Sequence, residues 1–298
     1  MILAVLLALA CAASYGVSDF FGGVSSTRFR VAPTSLVTYG LATAGAAVGL
    51  LFAGGRWSAA ALGWAGLAGL FAIAGTLAFY GALVAGPMSL VAPIVGTIES
   101  AVPVIAAVLF GQRMTGLTWL AIVVAVAGGA LVSLRFGGED LRLTARPTLL
   151  AIAGGVFFGG SIIALDRAPR DSGLIPAVFE GAVGLIVMAV LIALACVAPR
   201  IDRLLRLFDA STDAASPARS GLGLVAPALT AGVLLGLSNT LLVLALRAGP
   251  LAVVTVLADL YPVAAVILAW LVLRERLAAT QIVGVGLAVG ASALFALA

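Results

Sequence analysis

The sequence contains no histidine, and each of its 16 basic residues is an arginine. Imidazole bases, the helical double-histidine zinc motif and Schiff-base lysines are therefore excluded as elements of an active site. The two cysteines, Cys11 and Cys196, lie inside apolar runs without the spacing of a disulfide framework or a metal knuckle. The sequence thus predicts a protein without cofactor or metal, and one that is not an enzyme.

Charge is also scarce, because charged residues make up 9% of the 298 residues and apolar residues make up 63%. Soluble globular domains carry roughly 25% charged residues, so an ordinary soluble enzyme is excluded. The net charge of +4 comes from arginines spread over short loops, and no basic cluster is interleaved with aromatics, so we expect no nucleic-acid partner. Apolar runs of about 20 residues recur from end to end, which predicts a polytopic, all-α integral membrane protein in a lipid bilayer.

Ten membrane-spanning helices are predicted when Gly, Pro and Arg are taken as breaks between the apolar runs. They are placed at 2–24, 34–54, 59–85, 88–110, 116–134, 148–166, 173–197, 221–247, 250–272 and 277–297. The first is expected to be a retained helix and not a secretion signal, because no basic residue precedes it and the apolar stretch continues past Cys11. The polar connection 199–220 is expected to form a surface helix followed by a flexible Ser/Ala stretch.

An internal repeat divides the chain into two halves. Residues 82–87 recur as 245–250, an offset of 163 residues, and residues 15–18 are echoed by residues 158–161. The first offset also pairs Val91 with Val254, Ala101 with Ala264, Arg113 with Arg276 and Leu131 with Leu294. Because each half holds an odd number of helices, the second half must enter the membrane from the opposite side. The sequence therefore predicts two inverted five-helix repeats, 1–147 and 148–298, around a central cavity.

Several segments of the second half carry a family resemblance. They are residues 245–254, the run Leu260-Tyr261-Pro262-Val263, the run Leu273-Arg274-Glu275-Arg276-Leu277 and residues 281–284. Together they resemble the second half of EamA-type transporters of the drug/metabolite transporter superfamily. In the first half, Gly111-Gln112-Arg113 stands where the family usually has Gly-Glu-Arg, and Glu99 occupies the position of Pro262 in the repeat. The resemblance implies ten helices in two inverted halves, with a cavity that exports small metabolites, amino acids or drugs by exchange or proton coupling.

Apart from Asp166, which ends the span 148–166, four acidic residues fall inside predicted spans, namely Asp19, Glu99, Glu180 and Asp259. An ionisable group near mid-membrane costs at least about 2.5–3.5 kcal/mol, so it normally faces the bundle interior or a wet cavity. Glu99 lies near the centre of its span, and the repeat offset places Asp259 one helical turn from the position of Glu99, on the same face. Both are predicted to bind a proton or a cationic group of the substrate.

The remaining candidate residues are polar or aromatic. Tyr15 shares a face of the first span with Asp19, and Phe158 is its repeat equivalent, so the two rings are predicted to line opposite walls of the cavity. Asn239 and Tyr80 are further candidates for substrate contact. Structural roles stay open: a buried carboxyl can be neutral and hydrogen-bonded, acids near helix ends can be hydrated, and aromatic or Asn side chains commonly pack or bond between helices.

The two available rules for membrane orientation disagree. With the N-terminus inside, five arginines lie in cytoplasmic loops and eleven outside. The positive-inside rule therefore favours both termini outside, whereas relatives in the superfamily are thought to have both termini inside.

Together these features predict a secondary transporter of the cell membrane, acting as a monomer or homodimer. It is expected to export a neutral, cationic or amino-acid-like small molecule by alternating access, with Glu99 coupling export to the proton gradient. An anion would need an arginine, a lysine or a helix terminus as its partner, and none is indicated at mid-depth. The alternatives are a facilitative carrier without proton coupling, a membrane-embedded enzyme and a non-transporting scaffold.

Overall fold

The chain folds into a bundle of helices. A computed structural model describes residues 1–26, 31–85, 88–133, 144–206, 222–261, 263 and 279–297. Within these ranges all regular structure is helical, and the helices are α1 (Ile2–Ser26), α2 (Val31–Ala53), α3 (Ala59–Ala85), α4 (Met88–Leu109), α5 (Gly116–Ser133), α6 (Ala145–Arg167), a 3-10 turn (Arg170–Ser172), α7 (Ile175–Val197), α8 (Pro199–Arg206), α9 (Leu222–Ala248), α10 (Leu251–Ala258) and α11 (Ala279–Leu297).

Long apolar helices account for most of the structure. In the described part of the chain, seven helices are long and apolar enough to cross a membrane: α1, α2, α3, α6, α7, α9 and α11. Helices α4 and α5 add shorter apolar stretches, Ile94–Leu109 and Gly116–Leu131. These nine helices occupy the positions of the first eight predicted spans and of the tenth. The chain is a multi-pass membrane protein.

The ninth predicted span, 250–272, is not a continuous helix. Helix α10 ends at Ala258, and Asp259 and Leu260 form a turn. The sequence contains a local reason, because Pro262 has no N–H that could donate to the carbonyl of Ala258. The prediction of an uninterrupted helix is therefore wrong at Asp259, and the carboxyl of Asp259 lies at the end of a helix.

The predicted surface helix is present as α8. Its Arg206 donates a hydrogen bond from Nε to Asp202 Oδ2 at 2.7 Å, one turn away, while Leu205 is buried. The Ser/Ala stretch predicted after it lies outside the described residues.

Close backbone contacts at glycine hold the bundle together. Helix α6 packs against α3 and α4, α9 packs against α1 and α2, and α5 packs against α11. A Cβ atom added to Gly155 of α6 would lie 2.6 Å from Ile98 Cβ and 2.7 Å from the carbonyl oxygen of Val95. A Cβ added to Gly236 of α9 would lie 2.7 Å from the carbonyl oxygen of Ala42. Such approaches are typical of membrane bundles, in which small residues let helices pack without a hydrophobic driving force.

Gly155→Ala is expected to destabilise the protein. Overpacking a tight helix contact typically costs about 1–3 kcal/mol, which exceeds the gain of about 1 kcal/mol in helix propensity. Gly63→Ala is the matched control, because a Cβ at Gly63 has no atom within 4 Å. Thermal unfolding of the two purified variants should show a lower melting temperature for Gly155→Ala alone. Equal melting temperatures would contradict the packing shown for α6.

Loop contacts join the helices at the end of the bundle where α1, α3, α7 and α10 begin and α2, α6 and α9 end. We call this end the N-terminal face. The Arg56 N–H donates to the carbonyl of Asp171 at 2.9 Å, and the two side chains form an ion pair at 3.7 Å. Arg247 Nη1 donates to the carbonyl of Ala168 at 2.7 Å. A Cβ added to Gly173, at φ +52, would lie 2.2 Å from the carbonyl oxygen of Gly54. We call this set the face cluster, which comprises Gly54, Gly55, Arg56, Ala168, Asp171, Ser172, Gly173 and Arg247.

Candidate functional site

A cavity lies inside the bundle, between α1, α2, α3, α4, α6, α7, α9 and the end of α10. The cavity has a volume of about 170 Å³, which is enough for on the order of ten waters or one small metabolite. Its polar lining residues are Tyr15, Ser18, Asp19, Ser35, Thr38, Tyr39, Thr76, Glu99, Ser161, Glu180, Asn239, Asp259 and Tyr261. None of the described residues that line it is basic.

The structure brings most of the predicted site residues together. Seven of them line this one cavity: Glu99, Asp259, Asp19, Glu180, Tyr15, Phe158 and Asn239. The eighth, Tyr80, has a side chain that lies outside the described part of the structure. Residues from both halves of the sequence therefore form a single site, while their roles remain predictions.

Two carboxyl groups from different halves of the sequence, those of Glu99 and Asp259, line the cavity. Ser100 Oγ donates a hydrogen bond of 2.5 Å to Asp259 Oδ2. Glu99, next to Ser100 in α4, and Asp19 of α1 also line the cavity. Asp259 directly follows the last residue of α10, so its carboxyl lies at the end of that helix. None of the described lining residues offers these three acids a basic partner.

Ser100 was not among the predicted site residues. It is buried and joins α4 to the end of α10 across 159 residues of sequence. The only local signal is its place beside Glu99 in an apolar helix, which does not identify Asp259 as its partner.

Glu180 lies deep in the protein, although it is near the start of α7 in the sequence. Its side chain is 5% exposed, and Ser161 Oγ donates a hydrogen bond of 3.1 Å to Oε1. The other oxygen, Oε2, is buried without a hydrogen-bond partner. Asp19 differs, because it is exposed while also lining the cavity, so the cavity can be reached beside it.

Tyr15 and Asn239 join α1 to α9 inside the cavity. The Tyr15 hydroxyl donates a hydrogen bond to Asn239 Oδ1. Ser18 Oγ also donates to the carbonyl of Ala231 at 2.9 Å, further along the same pair of helices. Asn239 thus makes a bond between helices and also lines the cavity, so both predicted roles are compatible with its position.

Apolar side chains close the cavity toward the N-terminal face. Leu165 and Leu242 line the end of the cavity that is nearer this face, and their side chains are 1% and 3% exposed. The apolar core around them includes Leu174, Leu246 and Leu251, which begin or end helices at the N-terminal face. The structure therefore combines an end closed by this core and the face cluster with an accessible end beside Asp19.

Comparisons with known proteins agree with this architecture. A search of curated protein sequences gave no match. A crystal structure of a protein superposes on 99% of this chain, and on 96% of its own, with a TM-score of 0.72 and 16% sequence identity, a likeness that concerns the fold alone. The sequence model of the EamA-like transporter family matches residues 146–297. A membrane bundle around a polar cavity is the architecture that such a transporter needs, and the chain belongs to the EamA-like transporter family.

Proposed function

We propose that the protein is a secondary transporter that exports a neutral or cationic small molecule across the cell membrane by alternating access. The observation that carries the proposal is the cavity inside the helix bundle, which is lined by Glu99 and Asp259 and has no basic residue among its described lining residues. Acids at this depth are costly and characteristically mark substrate and ion pathways. A phosphorylated or dicarboxylate substrate would lack a cationic partner there.

Helix packing supports a mechanism based on two inverted halves. If 1–147 and 148–298 are five-helix repeats, α1 corresponds to α6 and α3 corresponds to α9. The repeat then relates the contact between α1 and α9 to the contact between α6 and α3. It likewise relates the contact between α2 and α9 to the contact between α7 and α3. All four pairs pack closely. Two halves that exchange such contacts can expose a central site to either side of the membrane in turn.

Proton coupling follows from the carboxyl groups that line the cavity. Neighbouring carboxylates without a counter-charge are stabilised by a proton or by a cationic ligand. In this mechanism, Glu99, with Asp259 as its partner, holds a proton or the cationic group of the substrate. Competition between them couples export to the proton gradient. With both termini outside, as the arginine count favours, the accessible end beside Asp19 faces the cytoplasm and the face cluster closes the exit.

Exchange of a compound in liposomes tests this function. A ligand that binds only the folded state raises apparent stability, so a panel of amines and neutral metabolites is first screened by thermal unfolding of the purified protein. Each stabilising compound is then loaded into proteoliposomes, and counterflow of its labelled form is measured. Exchange is expected in proteoliposomes and not in empty liposomes. Stabilisation without exchange for every compound would contradict transport and favour a non-transporting scaffold.

A further inference from the structure

Glu180 has an oxygen for which the proposed function gives no role. Oε1 accepts the hydrogen bond of Ser161, whereas Oε2 is buried and has no partner. A buried polar atom without a partner costs about 1–3 kcal/mol. The cost applies in both protonation states, because a protonated Oε2 would need an acceptor. Glu180 lines the cavity, so a ligand can supply the missing partner.

The unpartnered oxygen lies at the closed end of the cavity. The helical rise of 1.5 Å per residue places Glu180 about 8 Å from the first residue of α7, which lies at the N-terminal face. Leu165, one turn beyond Ser161 toward that face, is buried and closes the cavity beneath the carboxyl. A ligand that reaches Oε2 must therefore extend away from the N-terminal face.

Two aromatic rings line the cavity in that direction. Phe158 lies one turn before Ser161 on α6, and its ring meets that of Phe79 edge to face, with the ring centroids 6.4 Å apart. The ring of Tyr39 packs against Gly184, one turn after Glu180 on α7, where an added Cβ would lie 2.6 Å from Tyr39 Cδ1. Aromatic faces attract cations and also pack against apolar groups. The space beyond Glu180 thus suits an apolar or aromatic body.

The Glu180 carboxyl and the Asp259 carboxyl have different hydrogen-bond partners. Ser161 Oγ donates to Glu180 Oε1, whereas Ser100 Oγ donates to Asp259 Oδ2. Ser18, which the repeat pairs with Ser161, donates its hydrogen bond to a backbone carbonyl instead. The arrangement of serine and carboxyl at Glu180 therefore belongs to one half only.

We propose that Glu180 Oε2 binds the ammonium group of a monocationic amine whose apolar or aromatic body extends between Phe158 and Tyr39. This inference rests on the proposed transport function and names its substrate class. Glu99 and Asp259 then hold the proton, and the proton and the amine compete as two positive charges within one cavity. An ammonium group supplies the donor that Oε2 lacks, and its charge is balanced by the carboxylate.

Binding to the purified full-length protein tests the assignment. The probes are 2-phenylethylamine and its neutral analogue 2-phenylethanol, measured by titration calorimetry at neutral pH. The wild type is expected to bind the amine more tightly than the alcohol. Glu180→Gln should weaken amine binding by roughly ten- to a hundredfold, the value of a hydrogen bond to a charged group, and leave alcohol binding unchanged. Asp202→Asn, which removes a carboxylate from the surface helix α8, should retain amine binding.

Equal amine affinity in the wild type and in Glu180→Gln, or no amine binding by the wild type, would overturn the site. If Glu180→Gln does not fold, Phe158→Leu tests the same site, because it should weaken the binding of amine and alcohol alike. Unchanged affinities would then overturn the proposal. Binding is measured without transport, so intact amine binding with no exchange in liposomes would refute the transport function and leave this site standing.

Discussion

Replacing Glu99 by glutamine is expected to abolish proton movement driven by the transported compound. Glutamine has nearly the shape of glutamate but cannot carry a proton on and off, so the exchange of a proton for substrate is lost. Glu99 lines the cavity beside the bond between Ser100 and Asp259, so the change acts at the centre of the proposed pathway. The measurement is the internal pH of proteoliposomes, followed with a trapped dye after the compound is added. The signal should fall to that of empty liposomes.

Asp202→Asn is the matched control for this loss. It removes a carboxylate from the surface helix α8, where Asp202 pairs with Arg206, and should leave proton movement at the wild-type level. If the Glu99→Gln variant exchanges the compound without moving protons, Glu99 is needed for proton coupling but not for exchange, and the variant has become a facilitative carrier. Proton movement equal to that of the wild type would refute the role of Glu99.

Locking the face cluster with a disulfide is expected to stop transport completely. Alternating access requires the N-terminal face to open, so the contacts between residues 54–56 and 171–173 must separate. The backbone N–H of Arg56 lies 2.9 Å from the carbonyl oxygen of Asp171, a proximity compatible with a disulfide between these positions. The variant combines Arg56→Cys and Asp171→Cys with Cys11→Ser and Cys196→Ala. Counterflow is measured after oxidation and again after reduction.

Reduction should restore exchange, because the ion pair that is removed is exposed, and such pairs are worth about 0–1 kcal/mol. The matched control is the pair Asp202→Cys and Arg206→Cys on α8 in the same background, one turn apart within a single helix. Oxidation of that pair should not affect exchange. Undiminished exchange by the oxidised face-cluster variant would show that these loops do not separate during transport.

The spans of the bundle could be predicted from the sequence because they depend on local composition. Apolar runs bounded by Gly, Pro and Arg correspond to helices α1 to α7, α9 and α11. The exception, the end of α10 at Asp259, is also local, since Pro262 removes one backbone donor.

The contacts of the site could not be predicted, because they join positions far apart in the sequence. Ser100 and Asp259 are separated by 159 residues, and Tyr15 and Asn239 by 224. Residue type alone marked Glu99, Asp259 and Asn239 as candidates, but it gave no partner for any of them. Such partners depend on how the helices pack, which the pattern of a single helix does not encode.

The burial of Glu180 could not be predicted from its position in the sequence either. Its position near the start of α7 suggested hydration, yet it is 5% exposed. The face cluster covers that end of the bundle: Leu174 donates from its backbone N–H to the carbonyl of Gly54 at 3.4 Å, and Arg247 donates to the carbonyl of Ala168. A residue near a helix end in the sequence is therefore not necessarily exposed at the surface of the bundle.

Accumulation of a compound driven by a pH gradient tests the central claim most directly. Wild-type proteoliposomes are loaded with acidic buffer and diluted into alkaline buffer that contains a labelled compound found by counterflow. A proton-coupled exchanger is expected to accumulate the compound above its external concentration and to release it when a protonophore collapses the gradient. Equilibration to the external concentration, with no effect of the protonophore, would contradict proton-coupled transport by this protein.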